Sequence, residues 1–310
     1  FSNTVITPST GGDANTPGKN DVYLEDGKTI TVDGSLSNNP AARITPELYK
    51  KQTVLKADSG VTLANEVGKF TVTPDGSDTW KIDSEGKLTL YEETIKGSPS
   101  SNDAWKKLKQ AVANASDGGT IFIDGEVKAT SDGGNNGAIV INKNLTIKRA
   151  TGASSAVIDA NKDTGSKPKH RIFKVESGKM LTLENLTLKG GKAEGTQDAD
   201  NYGGAIYASG ATVNITNCTL KGNEAALGGG AIYVRKEGST ASTIKISGGT
   251  IGGDTDEDKN KVTSKWQFGG GILVENYCIL RLDSVRIIGN EAWRAGGVRA
   301  NRSSVTMTNC

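Results

Sequence analysis

Between residues 203 and 302 the chain repeats one short phrase four times. It reads GGAIYAS from Gly203, GGAIYVR from Gly229, GGILVEN from Gly270 and GGVRANR from Gly296. Aligned on the first branched residue, Ile206, Ile232, Ile272 and Val298 are 26, 40 and 26 residues apart. A loop that cradles a ligand has no need to recur; recurrence at a fixed period is a property of architecture. The interval of 40 is 26 plus 14, and the surplus is expected in the charged segment 252–265, read as a loop extruded from one repeat. A second strand follows each first one, at Leu181, Val213, Ile244, Leu280 and Val305, with apolar and polar residues alternating. Alternation at period two marks a half-buried strand. Glycine-asparagine and glycine-glycine corners follow, where a positive φ costs little. Short strands, sharp corners and a period near 26 predict an all-β chain folded as a parallel β-helix over residues 120–310. Each turn of such a solenoid buries its apolar face only by stacking on its neighbour.

The composition fits. Aromatic residues are 5% of the chain, few for a conventional core, while 40 glycines serve many corners. Residues 101–119 predict a capping helix laid over the first turn, because an open rung is a template for aggregation. Ser101 or Asn102 can cap it, Asp103 sits in its first turn, and Trp105, Leu108, Ala111, Val112 and Ala115 form one apolar stripe. Residues 96–100 read as a linker. Residues 1–95 predict a smaller β-rich module of strands and hairpins, with Trp80, Ile82, Leu88 and Leu90 facing one way around the turn Asp83-Ser84-Glu85-Gly86. Cys310 repeats the motif position of Cys218 without the continuation that follows Cys218, so the solenoid is read as incomplete at its C-terminal end.

The stretch from GGAIY at Gly203 through NCTLKGNEA to GGGAIYV resembles the repeats of chlamydial polymorphic outer membrane proteins, which pair a GGAI motif with an FxxN motif. GGAI stands at residues 203–206 and 229–232 and is altered to GGGI at 269–272 and GGV at 296–298. The second motif survives as Leu220 to Asn223 and Ile287 to Asn290, with Leu or Ile in place of phenylalanine. The segments NDVYLEDGKTITV and AARITP are similar to modules of large spirochaete surface proteins. The resemblance implies a right-handed β-helix, display at a bacterial cell surface or secretion, and adhesion. It carries over no catalytic residue.

The expected function is therefore a noncatalytic adhesive or structural stalk. Its expected partners are host or neighbouring-cell surface molecules or glycans, or further copies of itself head to tail. One alternative is an extracellular polysaccharide lyase or glycoside hydrolase, since fold alone does not decide function. Hydrolysis needs two carboxylates facing each other across a groove, for which Asp159, Asp163, Glu176 and Glu184 are the candidates; Asp159, His170 and Arg171 are the residues a lyase could gather. His170, the single histidine, reads as an exposed loop residue. A further alternative is a subunit of an extracellular filament joined between the Phe1 segment and the rung ending at Cys310. Trp266, Phe268 and Trp293 are the candidate ligand-binding aromatics. Asp254, Asp256, Asp258 and Asn260 alternate oxygen ligands as a calcium loop does, but Lys259 and Lys265 replace the glycine and the bidentate glutamate of an EF-hand. Beyond that calcium candidate, no cofactor is expected. One histidine and three cysteines without a CxxC leave no cysteine-histidine metal site. A net charge of +2 with mixed signs gives no nucleic-acid-binding stripe. No apolar run approaches the ~20 residues that cross a bilayer.

Overall fold

The computed structural model describes residues 22–75, 80–90, 92–98, 100–115, 117–132, 134–162 and 169–310. The segment from Phe1 and Asp163 lie outside the described residues. The chain is all-β with parallel sheets, and it separates into two compact units, one holding the residues up to Glu92 and one from Glu93 to Cys310, with 115–119 grouped with the first.

In the first unit, Val22–Leu24, Ala42–Pro46 and Phe70–Val72 form a parallel three-stranded sheet, and Ile30–Val32 pairs in parallel with Leu55–Ala57. Val22–Leu24 and Ile30–Val32 are thus not a hairpin with each other. Period-two alternation is the same in parallel and antiparallel strands, so it leaves pairing undetermined. The expected hairpin does form between Trp80–Ile82 and Leu88–Leu90. Asp83 Oδ1 accepts from the backbone N–H groups of Glu85 and Lys87, and Gly86 supplies a φ of 81°.

In the second unit the chain visits three sheets in turn and returns beside its own previous strand. Sheet A runs Ile139–Ile141, Phe173–Val175, Ile206–Ser209, Ile232–Arg235, Ile272–Glu275 and Val298–Asn301. Sheet B runs Leu145–Arg149, Met180–Glu184, Thr212–Thr216, Thr243–Ser247, Ile279–Asp283 and Ser304–Thr308. Sheet C runs Ala156–Asp159, Thr187–Lys189, Thr219–Lys221, Thr250–Gly252 and Arg286–Ile288. A short sheet D adds Lys192–Ala193, Glu224–Ala225 and Lys261–Val262. The long strand Gly119–Lys128 joins sheets B and C at their first edges.

The registers are those of the motif alignment: Ile206 opposes Ile232, Ile232 opposes Ile272, and Ile272 opposes Val298. In sheet B, Leu181, Val213, Ile244, Leu280 and Val305 form one column. Inward side chains fill the space between the sheets, including Phe173, Ile206, Ile232 and Ile272 from sheet A, Leu181, Val213, Ile244 and Leu280 from sheet B, and Leu188, Leu220 and Ile251 from sheet C, all buried. Each contributes about 1.5–3 kcal/mol of burial, which explains how so few aromatics suffice.

The surplus 14 residues do not form one extruded loop. The step from sheet A to sheet B grows from 6 residues (Ile206 to Thr212) to 11 (Ile232 to Thr243), around a hairpin that bridges Glu237 and Thr240. The step from sheet C to sheet D grows from 5 (Thr219 to Glu224) to 11 (Thr250 to Lys261). The return to sheet A grows from 8 (Glu224 to Ile232) to 11 (Lys261 to Ile272). Within the expected loop, Lys261–Val262 is a strand. Corners face water and accept length; strands, locked in register, do not.

The helix is shorter than expected, Ala104–Asn114, because Asp103 accepts from the Lys107 N–H and so stands at its N-cap, and a strand begins at Gly119. All five stripe residues are buried. Trp105 Nε1 donates to Gly137 O at 2.9 Å, and Asn135 Oδ1 accepts from the Lys106 N–H at 2.8 Å.

Candidate functional site

Every repeat leaves polar backbone groups at its corners, and buried ones need partners. The asparagine of the second motif supplies them. Asn223 Nδ2 donates to Leu188 O, Asn260 Nδ2 to Leu220 O and Asn290 Nδ2 to Ile251 O, each reaching one repeat back. Asn260 Oδ1 accepts from the Asn223 N–H at 3.1 Å and from Asn223 Nδ2 at 3.0 Å, and Asn260 Nδ2 donates to Asn290 Oδ1 at 2.9 Å. Asn223 and Asn260 are fully buried. A second ladder runs through Ser242, Cys278 and Ser303, whose side chains accept from the N–H groups of Ala211, Ser242 and Cys278. Asn185 and Asn217 serve differently: both sit at corners with φ near +50°, side chains exposed, a conformation asparagine tolerates better than most residues.

Asn260 belongs to the buried ladder. Asp256 pairs with Lys259 at 2.6 Å, Asp258 with Lys221 at 2.8 Å and Asp254 with Arg286 at 3.5 Å. The Lys259 ammonium holds the Asp256 carboxyl below its ordinary range. Three carboxylates thus face three separate cations, and no group of three metal-ligating side chains exists among the described residues. Adding about 1 mM calcium chloride is expected to release no heat and to leave the melting temperature within about 1 °C, since only a ligand bound to the folded state raises it. A rise of several degrees would restore the calcium reading.

Two of the three candidate aromatics meet. Trp266 and Trp293, from consecutive repeats, are 62% and 52% exposed with ring centroids 4.6 Å apart. Phe268 lies beneath the Arg299 guanidinium, 3.3 Å from its ring centroid. Alongside runs an outer layer on sheet A that the sequence pattern did not show. Tyr207 and Tyr233, outward-facing by register, are each only 4% exposed, packed with Leu273, Ala199 and Tyr202. Tyr202 stacks on Tyr233 at 4.4 Å, and Tyr233 Oη donates to Glu275 Oε2.

The carboxylates of the enzyme reading are dispersed. Asp159 is buried at the end of sheet C, 3.5 Å from Lys189, with its Oδ1 accepting from the Asn161 N–H. Glu184 ends a sheet B strand, and Glu176 stands in the turn after a sheet A strand. His170 is not an exposed loop residue: it is half-buried, its ring centroid 5.2 Å from that of Trp105. Arg171 is buried with its guanidinium 4.7 Å from the Tyr207 ring centroid. Asp159 lines a different cavity from the one holding His170 and Arg171.

No helix among the described residues is long and apolar enough to cross a membrane. A search of curated proteins and of solved structures finds no match. The Chlamydia polymorphic membrane protein repeat matches residues 217–235. That stretch carries the corner at Asn217, the sheet C strand Thr219–Lys221, the ladder residue Asn223, the glycine pair at 229–230 and the sheet A strand Ile232–Arg235. What matches is the set of residues one repeat needs in order to stack on the next. The match points to a protein of the bacterial outer surface or outer membrane.

Proposed function

We propose that residues 120–310 form a right-handed parallel β-helix closed at its first turn by the helix Ala104–Asn114, and that the protein is a noncatalytic adhesive or structural stalk at the bacterial surface. The observation that carries this reading is the buried asparagine ladder, whose member Asn223 lies inside the stretch that matches the surface-protein repeat. Parallel crossovers in one sheet are right-handed in about 98% of cases, which supports the handedness. The amphipathic helix, with Trp105 bonded to Gly137, supports the closure. The dispersal of Asp159, Glu176 and Glu184 over separate edges supports a noncatalytic role, because glycoside cleavage needs paired carboxylates about 5–10 Å apart.

The test has two arms. Proteolysis of intact source cells is expected to cut the protein, and the purified chain is expected to release no reducing ends from a panel of neutral and acidic glycans. Depolymerisation that disappears in Asp159→Asn or Glu176→Gln would replace this reading with the enzymatic one.

A further inference from the structure

Two charged side chains are buried among the described residues of the second unit: Asp159 pairs with Lys189, and Arg171 makes no ion pair. Arg171 is only 5% exposed. Its guanidinium lies over Tyr207, and Nη2 donates to Ala199 O at 2.6 Å. Burial pushes its pKa down, and Asp200 acts on it only through space. A buried cation without a hydrogen-bonded counter-charge is costly, so its retention calls for an anion. Arg171 lines a cavity of about 370 Å³ together with Lys169, Lys174 and Lys192. Lys192 and Lys169 share Glu194 at 3.4 and 3.7 Å, and Lys192 also pairs with Glu224 at 2.9 Å. Lys174 is exposed on its sheet A strand, in register with Tyr207.

Glu194 and Asp200 line the same cavity. Acceptors beside cations suit a ligand that has both hydroxyl groups and a negative charge. The volume falls within the range of small-ligand pockets, roughly 300–1,000 Å³, and is large for a bare sulfate ion.

We infer that this cavity binds one acidic sugar residue, its carboxylate held by Arg171 and Lys174 and its hydroxyls by Glu194 and Asp200. The inference rests on the adhesive reading and names the ligand class that the stalk presents a site for. An arginine fork matches a carboxylate in a bidentate geometry that an ammonium cannot reproduce.

Ligand-observed NMR titration of the 310-residue chain tests it, with sodium glucuronate as the probe and glucose and sodium sulfate as comparisons. Saturable glucuronate binding is expected, with no binding of glucose and weaker binding of sulfate. Arg171→Met is expected to abolish binding; since Arg171 is buried, its circular dichroism and melting curve are recorded alongside. Lys174→Gln changes an exposed residue, keeps the fold, and is expected to weaken glucuronate about tenfold, the effect of one charge-assisted contact. Lys128→Gln, outside the cavity, is expected to change nothing. Glucose binding as well as glucuronate, sulfate binding as tightly, or Lys174→Gln leaving affinity unchanged would each overturn the proposal. None of these outcomes touches the adhesive reading, which fails only if the chain depolymerises glycans or is not exposed on cells.

Discussion

Asn260→Ala is expected to destabilise the repeat unit by roughly 3 kcal/mol or more, read as a lower urea midpoint with an unchanged slope. The side chain is fully buried and bonds four groups: the Asn223 N–H, Asn223 Nδ2, Leu220 O and Asn290 Oδ1. Alanine removes their partner and offers no path for water. Each buried polar group left without a hydrogen bond costs about 1–3 kcal/mol. Asp256→Ala, four residues away and exposed, is expected to stay within about 0.5 kcal/mol, as surface substitutions do. Equal effects from the two would mean that Asn260 is a loop residue after all and that the ladder does not exist.

Gly230→Ala should have an effect of similar size by a different cause. A Cβ there would stand 2.2 Å from Gly270 O and 2.7 Å from both N and O of Lys261. Those are backbone atoms of the next repeat, so no side chain can swing aside. Gly204 is hemmed in the same way by Gly230 O, at 2.4 Å. The glycine pair therefore recurs because repeat backbones approach one another at this corner. Overpacking costs about 1–3 kcal/mol, and more where the neighbour cannot relax; the top of that range is expected in a urea melt. Gly297→Ala is the matched comparison, because its nearest non-neighbouring atom is Ile287 Cγ2 at 3.4 Å, an ordinary contact. A melt of Gly230→Ala no different from that of Gly297→Ala would remove close approach as the reason for the motif.

The sheet registers could be read from the sequence because the inward residue recurs once per repeat: the alignment of Ile206, Ile232, Ile272 and Val298 is the observed pairing. Periodicity locates strands but says nothing about which corner absorbs extra length, so one loop was expected where three corners share the insertion. The same interruption hid Asn260. In two repeats the motif is contiguous, Leu220 to Asn223 and Ile287 to Asn290; in the repeat between them Ile251-Gly252 is separated from Asn260 by the acidic insert. The usable signal lies on the far side: Asn260-Lys261-Val262 follows the pattern of Asn223-Glu224-Ala225 and Asn290-Glu291-Ala292. Read from its near side, the insert offered oxygens at calcium spacing instead. The Trp266–Trp293 pairing follows from stacking, since both precede equivalent corners. The Arg171 cavity was not legible, because Lys174, Lys192 and Asp200 stand at no common period and meet only through tertiary packing.

Electron paramagnetic resonance distances between spin labels on one edge of sheet B test the stacked β-helix most directly. Lys148, Glu184, Thr216, Ser247, Asp283 and Thr308 stand in one register column. With one label at Thr308 and the other at Thr216, Glu184 or Lys148, the partners lie three, four and five strands away. At about 4.8 Å per strand, the account predicts backbone separations near 14, 19 and 24 Å, rising in equal steps while the sequence separation reaches 160 residues. Distances that do not increase in that order, or a Lys148 label far beyond about 24 Å once the label linkers are allowed for, would contradict it.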